Sequence, residues 1–197
     1  MVAYVFSKLL SKGSQSGYVP GRTQASRNWF RDQAKSTTVA PSRIIRESTD
    51  VSSSDGFGPG TMTLFQYDPL TKETLPYYDR FPLVFVVEMQ ARGFLGINLH
   101  YLPLNYRAIL MDSLYDLKNN ENYNQTTKLR LSYEVLKSAS KFKYARPCFK
   151  RYIMERVRSR FVPINADQWD TALFLPLQRF TKASTQMVYR DSLRKIA

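Results

Sequence analysis

The sequence has little of the chemistry that enzymes and metal sites use. Of its 197 residues, one is cysteine, Cys148, and one is histidine, His100. A single thiol excludes an intrachain disulfide and a zinc site built from thiolates, and a single histidine excludes the H-E-x-x-H motif. No run of 18 or more apolar residues is present, so the sequence predicts no membrane-spanning segment. These shortages favour a binding protein over a catalyst.

The candidate catalytic motifs that remain are incomplete. The glycine-rich segment GFGPG at 56–60 lacks the Lys-Ser/Thr pair of a phosphate-binding loop. Asp112 and Asp116 are four residues apart on a predicted helix and could hold one ion, but no catalytic base accompanies them. We therefore predict no catalytic residue, no metal and no cofactor, with a metal-dependent nuclease as the remote alternative.

Positive charge is what the sequence has in excess. It contains 29 Lys and Arg against 16 Asp and Glu, which gives a formal net charge of +13. Residues 121–160 alone hold 11 basic and 3 acidic residues, so more than half of the excess lies in this segment. A concentration of this kind is expected of a protein that contacts a phosphate backbone. Nucleic acid is the predicted partner, and an acidic protein surface is the alternative.

Two predicted helices carry this charge on one face. In the segments 128–143 and 147–161, helical spacing places apolar residues on one side and most basic residues on the other. Between residues 137 and 160, nine basic residues accompany a single acid, Glu155, and their uncompensated repulsion indicates a bound polyanion. The residues predicted to contact DNA or an acidic partner are Arg130, Lys137, Lys141, Lys143, Arg146, Lys150, Arg151, Arg158 and Arg160.

The aromatic residues of this segment have helical spacing on the apolar side, which predicts core packing and not base stacking. No helix-turn-helix, zinc-finger or RNA-recognition signature is present. We therefore expect contacts with the backbone of double-stranded DNA, without sequence specificity.

The chain divides at its glycine-rich segment. Residues 1–60 are predicted to form an extended N-terminal arm with one short helix near 26–35, in which Trp29 and Phe30 anchor the arm to a protein partner. Residues 61–197 are predicted to form a single α+β domain. It consists of a small antiparallel three-stranded sheet, from segments 61–67, 82–89 and 93–101, followed by a helical half.

Several long stretches resemble a known family. They are NWFRDQA, FQYDPLTKETLPYYDRFPLVF, GFLGINLHYLPLNYRAILMDSLYDL, RPCFKRYIMERVRSRFVPI and WDTALFLPLQRF. Together they resemble structural virion proteins of T4-like contractile-tailed phages, either DNA end protectors or components of the tail, neck or baseplate. The first resemblance implies binding and shielding of packaged DNA ends within a virion, and the second implies assembly with other virion subunits through the arm and the basic face. Neither implies a site at particular residues.

Overall fold

The structure is a computed structural model that describes residues 4–48, 57–119 and 143–196. The α-helices of these residues are α1 Tyr4–Gln15, α2 Gln24–Lys35, α3 Pro41–Glu47, α4 Leu104–Asn119, α5 Trp169–Phe174 and α6 Thr185–Ile196. The strands are β1 Met62–Leu64, β2 Tyr78–Asp79, β3 Leu83–Gln90, β4 Gly93–Asn98, β5 Phe149–Ile153, β6 Val162–Ile164 and β7 Phe180–Thr181. The predicted α+β class is confirmed. Within the described ranges, no helix is long and apolar enough to cross a membrane.

The main sheet has five strands in the order β5-β4-β3-β1-β6, and every neighbouring pair is antiparallel. The three predicted strands form its centre as β1, β3 and β4. The prediction of a three-stranded sheet is nevertheless wrong, because β5 and β6 each add an edge strand. A separate two-stranded sheet pairs β2 with β7.

The core lies on both faces of the main sheet. Alternate residues of β3 enter two clusters: Phe85 and Val87 join a large cluster that includes helical residues, while Val84 and Val86 join a smaller one on the other face. The smaller cluster is aromatic, and it also contains Phe65, Tyr67, Phe94 and Tyr152, with Phe57 and Phe161 packed against it. Burial on both faces explains why β3 reads as a continuous apolar run.

The prediction of an extended N-terminal arm is wrong for residues 4–48. These residues form α1, α2 and α3, and each helix contributes apolar side chains to the large core cluster. They are Val5, Phe6, Leu9, Ala34 and Ile44. α2 starts before the predicted helix, because Thr23 caps it by accepting a hydrogen bond from the backbone N–H of Ser26 at 3.1 Å. The burial of α1 and α3 depends on contacts with residues distant in the sequence, which local periodicity does not specify.

The predicted helix over 147–161 is also wrong. Residues Lys143–Cys148 form a 3-10 helix, β5 follows, and Met154–Arg156 form another 3-10 turn. The aromatic and β-branched residues of FKRYI fit a strand as well as a short helical stripe, and the free edge of β4 offers them a hydrogen-bonding partner. The predicted 128–143 helix lies outside the described residues.

Candidate nucleic-acid interface

β5 brings two predicted basic residues to the edge of the main sheet. In its register with β4, Lys150 lies opposite Gly96 and Arg151 lies opposite Leu95. The approach of the two strands is close at Gly93, where a β-carbon would overlap the carbonyl group of Tyr152. The absence of a side chain at Gly93 therefore permits the pairing that positions the basic residues.

A cavity of about 250 Å³ opens beside β5, and we call it the tyrosine cavity. Five tyrosines line it together with both cations of β5, Asp79 and several apolar side chains. The tyrosines are Tyr67, Tyr77, Tyr78, Tyr101 and Tyr152. Four of the rings are buried, and Tyr78 is the least buried of the five. The cavity thus combines aromatic walls with positive charge at its edge.

Lys150 is held at the wall of this cavity by an aromatic ring. Its Nζ lies 4.2 Å from the centre of the Tyr101 ring, a cation–π contact. Burial lowers the pKa of Lys150 to about 8, and repulsion from Lys195 contributes to the shift. Among the described residues, no carboxylate lies within ion-pair distance of Lys150. An anion in the cavity would therefore provide the negatively charged partner that Lys150 does not have among these residues.

A second, more open cavity adjoins the first and shares Tyr67 and Tyr78 with it. Arg80 and Arg158 line this second cavity, as does Asp68. Asp68 accepts hydrogen bonds from Lys72 at 3.1 Å and lies 3.5 Å from the Arg158 guanidinium. We use the term cleft for the two cavities together. Its rim carries Lys72, Arg80, Lys150, Arg151 and Arg158. The carboxylates among the lining residues are those of Asp68, which is partly exposed, and Asp79, which is buried.

The floor of the cleft is fixed by a buried hydrogen bond between His100 and Asp79. Nδ1 of His100 lies 2.7 Å from Oδ2 of Asp79, and the same oxygen accepts a hydrogen bond from Asn98 at 3.2 Å. The other oxygen of Asp79 accepts from the backbone N–H groups of Phe81 and Arg179. These bonds tie β2 to the end of β4 and to the chain before β7. The backbone of Tyr78 is therefore held in place by the hydrogen bonds of its neighbour Asp79.

Burial and partners set the ionisation of this pair. Burial would raise the pKa of Asp79, but the contact with His100 and the hydrogen bonds from Asn98 and the Phe81 backbone outweigh it and lower that pKa. Burial lowers the pKa of His100. Nε2 of His100 is buried without a hydrogen-bond partner among the described residues, so a second ring proton would have no acceptor there. The pair is therefore a neutral imidazole that donates to an ionised carboxylate.

The carboxylates suggested as an ion site are engaged by arginines. Asp112 accepts from Arg31 at 2.7 Å and lies 3.2 Å from Nε of Arg27, while Asp116 accepts from Arg27 at 3.3 Å. Arg31 also donates to Asp170 at 2.7 Å, and both groups are buried. In the described ranges, no group of three or more His, Cys, Asp or Glu side chains is arranged to hold a metal. These acids join α2 to α4 and α5.

The predicted contact residues separate into three groups. Lys150, Arg151 and Arg158 meet at the cleft. Arg146 is exposed on the 3-10 helix before β5, and Arg160 donates to the carbonyl of Ser48 at 3.4 Å, next to α3. Three further predicted contacts lie outside the described residues: Arg130, Lys137 and Lys141. The fourth is Lys143, whose backbone is described but whose side chain is not.

Trp29 and Phe30 make contacts within their own chain. The Trp29 ring stacks on Tyr18 with centroids 5.2 Å apart, and Phe30 is 1% exposed beneath α1, where it closely approaches Gly13. Phe30 is thus a core residue and not a free anchor for a partner. Tyr152 is a core residue and Phe149 and Phe161 pack against the core, although the helical spacing on which the prediction rested is absent.

Sequence reasoning missed Arg80 and the tyrosines of the cleft. Arg80 and Tyr78 lie between β1 and β3, outside the segments that the sequence predicts as strands. The clustering of tyrosine in LPYYDRFP was a visible signal, but its proximity to β5 depends on the order of strands in the sheet. No local pattern specifies that order.

Comparisons with known proteins identify one family. The family model described as phage T4 terminal DNA protecting protein matches residues 7–195. Neither the comparison with curated proteins nor that with solved structures finds a match. The matched range includes every element that forms the cleft, from β1 to β7, and nearly the whole chain. This protein therefore belongs to the family of the phage T4 terminal DNA protecting protein.

Proposed function

We propose that this protein is a non-enzymatic virion component that binds the ends of packaged double-stranded DNA. The observation that carries the proposal is the cleft, where Lys150, Arg151 and Arg158 gather beside Arg80. These four cations outnumber the two carboxylates of the lining, Asp68 and Asp79. A phosphate backbone would neutralise these charges and release counterions, which is a sequence-independent source of affinity. The name of the family supports DNA ends as the target.

The other predicted contacts extend this proposal. Arg146 is exposed within the same 3-10 helix that leads into β5, and it can reach phosphates beyond the cleft. Arg130, Lys137, Lys141, Lys143 and Arg160 remain predicted contacts along the flanking DNA. The tail or baseplate alternative relied on an extended arm, and residues 4–48 are instead packed helices, so we do not propose it. Contacts with other virion subunits remain part of the proposal.

The test is duplex DNA binding by the full chain across a range of salt concentrations. We expect log K to fall linearly with log salt, with a slope of about −0.9 for each phosphate contact. The double variant Arg151→Glu, Arg158→Glu should lose at least about tenfold in affinity and make the slope shallower by about 2. Lys8→Glu is the charge control, because Lys8 is exposed on α1, away from the cleft.

Two results would reject the proposal. One is the absence of duplex binding at low salt, which would favour an acidic protein partner for the basic cleft. The other is an equal loss of affinity per reversed charge in Lys8→Glu, since binding would then depend on net charge alone. Thermal unfolding of each variant shows whether a loss of affinity reflects a loss of fold.

A further inference from the structure

A basic surface alone cannot distinguish a DNA end from the middle of a duplex, because the phosphate backbone is the same at both. What differs at an end is the terminal nucleotide. It has one stacking neighbour instead of two, so it leaves the stack more easily than an internal nucleotide does. A protein that prefers ends needs a feature that accepts this nucleotide.

The tyrosine cavity has the size and chemistry of such a feature. Its volume of about 250 Å³ lies just below the range of about 300–1,000 Å³ typical of ligand pockets. A cavity of this size suits one nucleotide better than a base pair. Aromatic rings bind bases of any sequence by stacking, and the two β5 cations at the edge suit a phosphate group.

Tyr78 is the ring best placed to stack on a base. It lies between the two cavities and lines both, and it is less buried than the other four tyrosines. The face of Tyr101 is already covered by Lys150. The backbone of Tyr78 is held by its pairing with Thr181 and by the buried neighbour Asp79, so the ring is preorganised.

We propose that the tyrosine cavity binds the terminal nucleotide of a DNA strand, with its base on Tyr78 and its phosphate at Lys150 and Arg151. This inference rests on the proposed DNA binding, and adds a separate element that recognises the end. The cations of the second cavity, Arg80 and Arg158, then contact phosphates further along the duplex. Affinity comes mainly from the basic rim, and preference for ends comes from the cavity.

The experiment compares two duplexes of identical sequence with the full chain at one salt concentration. One has open ends, and the other has both ends closed by hairpin loops. We expect the open duplex to bind about tenfold more tightly, in line with the contribution of one base–aromatic stack. Tyr78→Leu should remove this preference, so that it binds the open and the closed duplex with equal affinity. Tyr78→Phe, which keeps the ring, should retain it.

A fluorescent base reports the contact directly. With 2-aminopurine at the terminal position of either strand, binding should change its fluorescence in the wild-type and Tyr78→Phe proteins but not in Tyr78→Leu. The same base placed at the centre of the duplex should show no change. Equal affinity for open and closed duplexes would overturn the terminal-nucleotide cavity while leaving DNA binding intact. A preference for ends that persists in Tyr78→Leu would also overturn it, and failure to bind either duplex would overturn both proposals.

Discussion

The ammonium group of Lys150 lies 4.2 Å above the centre of the Tyr101 ring, at the wall of the tyrosine cavity. The other predicted contacts at the cleft, Arg151 and Arg158, are guanidinium groups that stay charged at any physiological pH. Lys150 is different, because burial brings its pKa down to about 8. A cation whose charge is lost just above neutral pH makes DNA binding sensitive to pH.

We predict that affinity for open-ended DNA falls as the pH rises from 7 to 9. Below about pH 8, Lys150 is charged and attracts phosphate, whereas above it the free protein holds a neutral amine. A bound phosphate raises the pKa of Lys150, so binding above pH 8 takes up a proton. Dissociation constants measured at constant ionic strength across this range test the prediction.

Lys150→Arg is the matched control for the pH effect. Its guanidinium remains charged at pH 9, so the affinity of this variant should change little between pH 7 and 9. A decline of equal size in Lys150→Arg would assign the effect to another group. A flat profile in the wild-type protein would show that Lys150 does not contact the anion.

Gly93→Ala should weaken DNA binding and stability together. A β-carbon at this position would overlap the backbone carbonyl of Tyr152, so β5 must move away from β4. We expect a loss of about 1–3 kcal/mol in the free energy of unfolding, as for other overpacked sites, and lower DNA affinity because Lys150 and Arg151 move with the strand. Chemical denaturation and DNA titration measure the two effects.

Gly58→Ala provides the comparison. Among the described residues, no atom outside Gly58 and its two chain neighbours lies within 4 Å of a β-carbon built on Gly58, so this variant should match the wild-type protein in both measurements. A Gly93→Ala protein as stable as Gly58→Ala would show that β5 does not pair with β4 as described.

The sequence could predict the central strands, but not the cleft. The continuous apolar run of β3 and the alternating pattern of β1 could be recognised in the sequence, because burial imposes local hydrophobic patterns on strands. The strand in the FKRYI segment was not visible, because Phe149, Tyr152 and Ile153 also fit the apolar stripe of a helix. Only pairing with the free edge of β4 makes this segment a strand. Lys150 was predicted as a contact residue from its charge alone. Tertiary contacts bring it next to tyrosines that lie on β2 and beyond the end of β4.

We predict that the protein leaves duplex DNA intact in the presence of Mg²⁺ or Mn²⁺. Two-metal and one-metal nucleases need carboxylates with free oxygens, and those of Asp112 and Asp116 are paired with Arg27 and Arg31. Incubation with a labelled linear duplex and either metal, followed by electrophoresis, tests this expectation. Cleavage that disappears in Asp112→Ala would contradict it and establish a nuclease.

The pair of Asp79 and His100 should make the protein sensitive to acid. The pKa of His100 is lowered on folding by burial, so its contribution to stability is complete above its unfolded value of 6.5 and is lost as the pH falls below it. The pKa of Asp79 is also lowered, so a further loss follows below about 3.8. His100 is the only histidine in the chain, which makes it the one side chain with an ordinary pKa between 5 and 7.

We expect the free energy of unfolding to fall between pH 6.5 and 5 by at most about 1.4 kcal/mol for each pH unit, the limit for one proton. Urea unfolding at pH 7, 6 and 5 measures this slope, and His100→Asn should flatten it because the amide does not titrate. A wild-type profile without slope over that range would show that His100 is not buried as a neutral donor to Asp79.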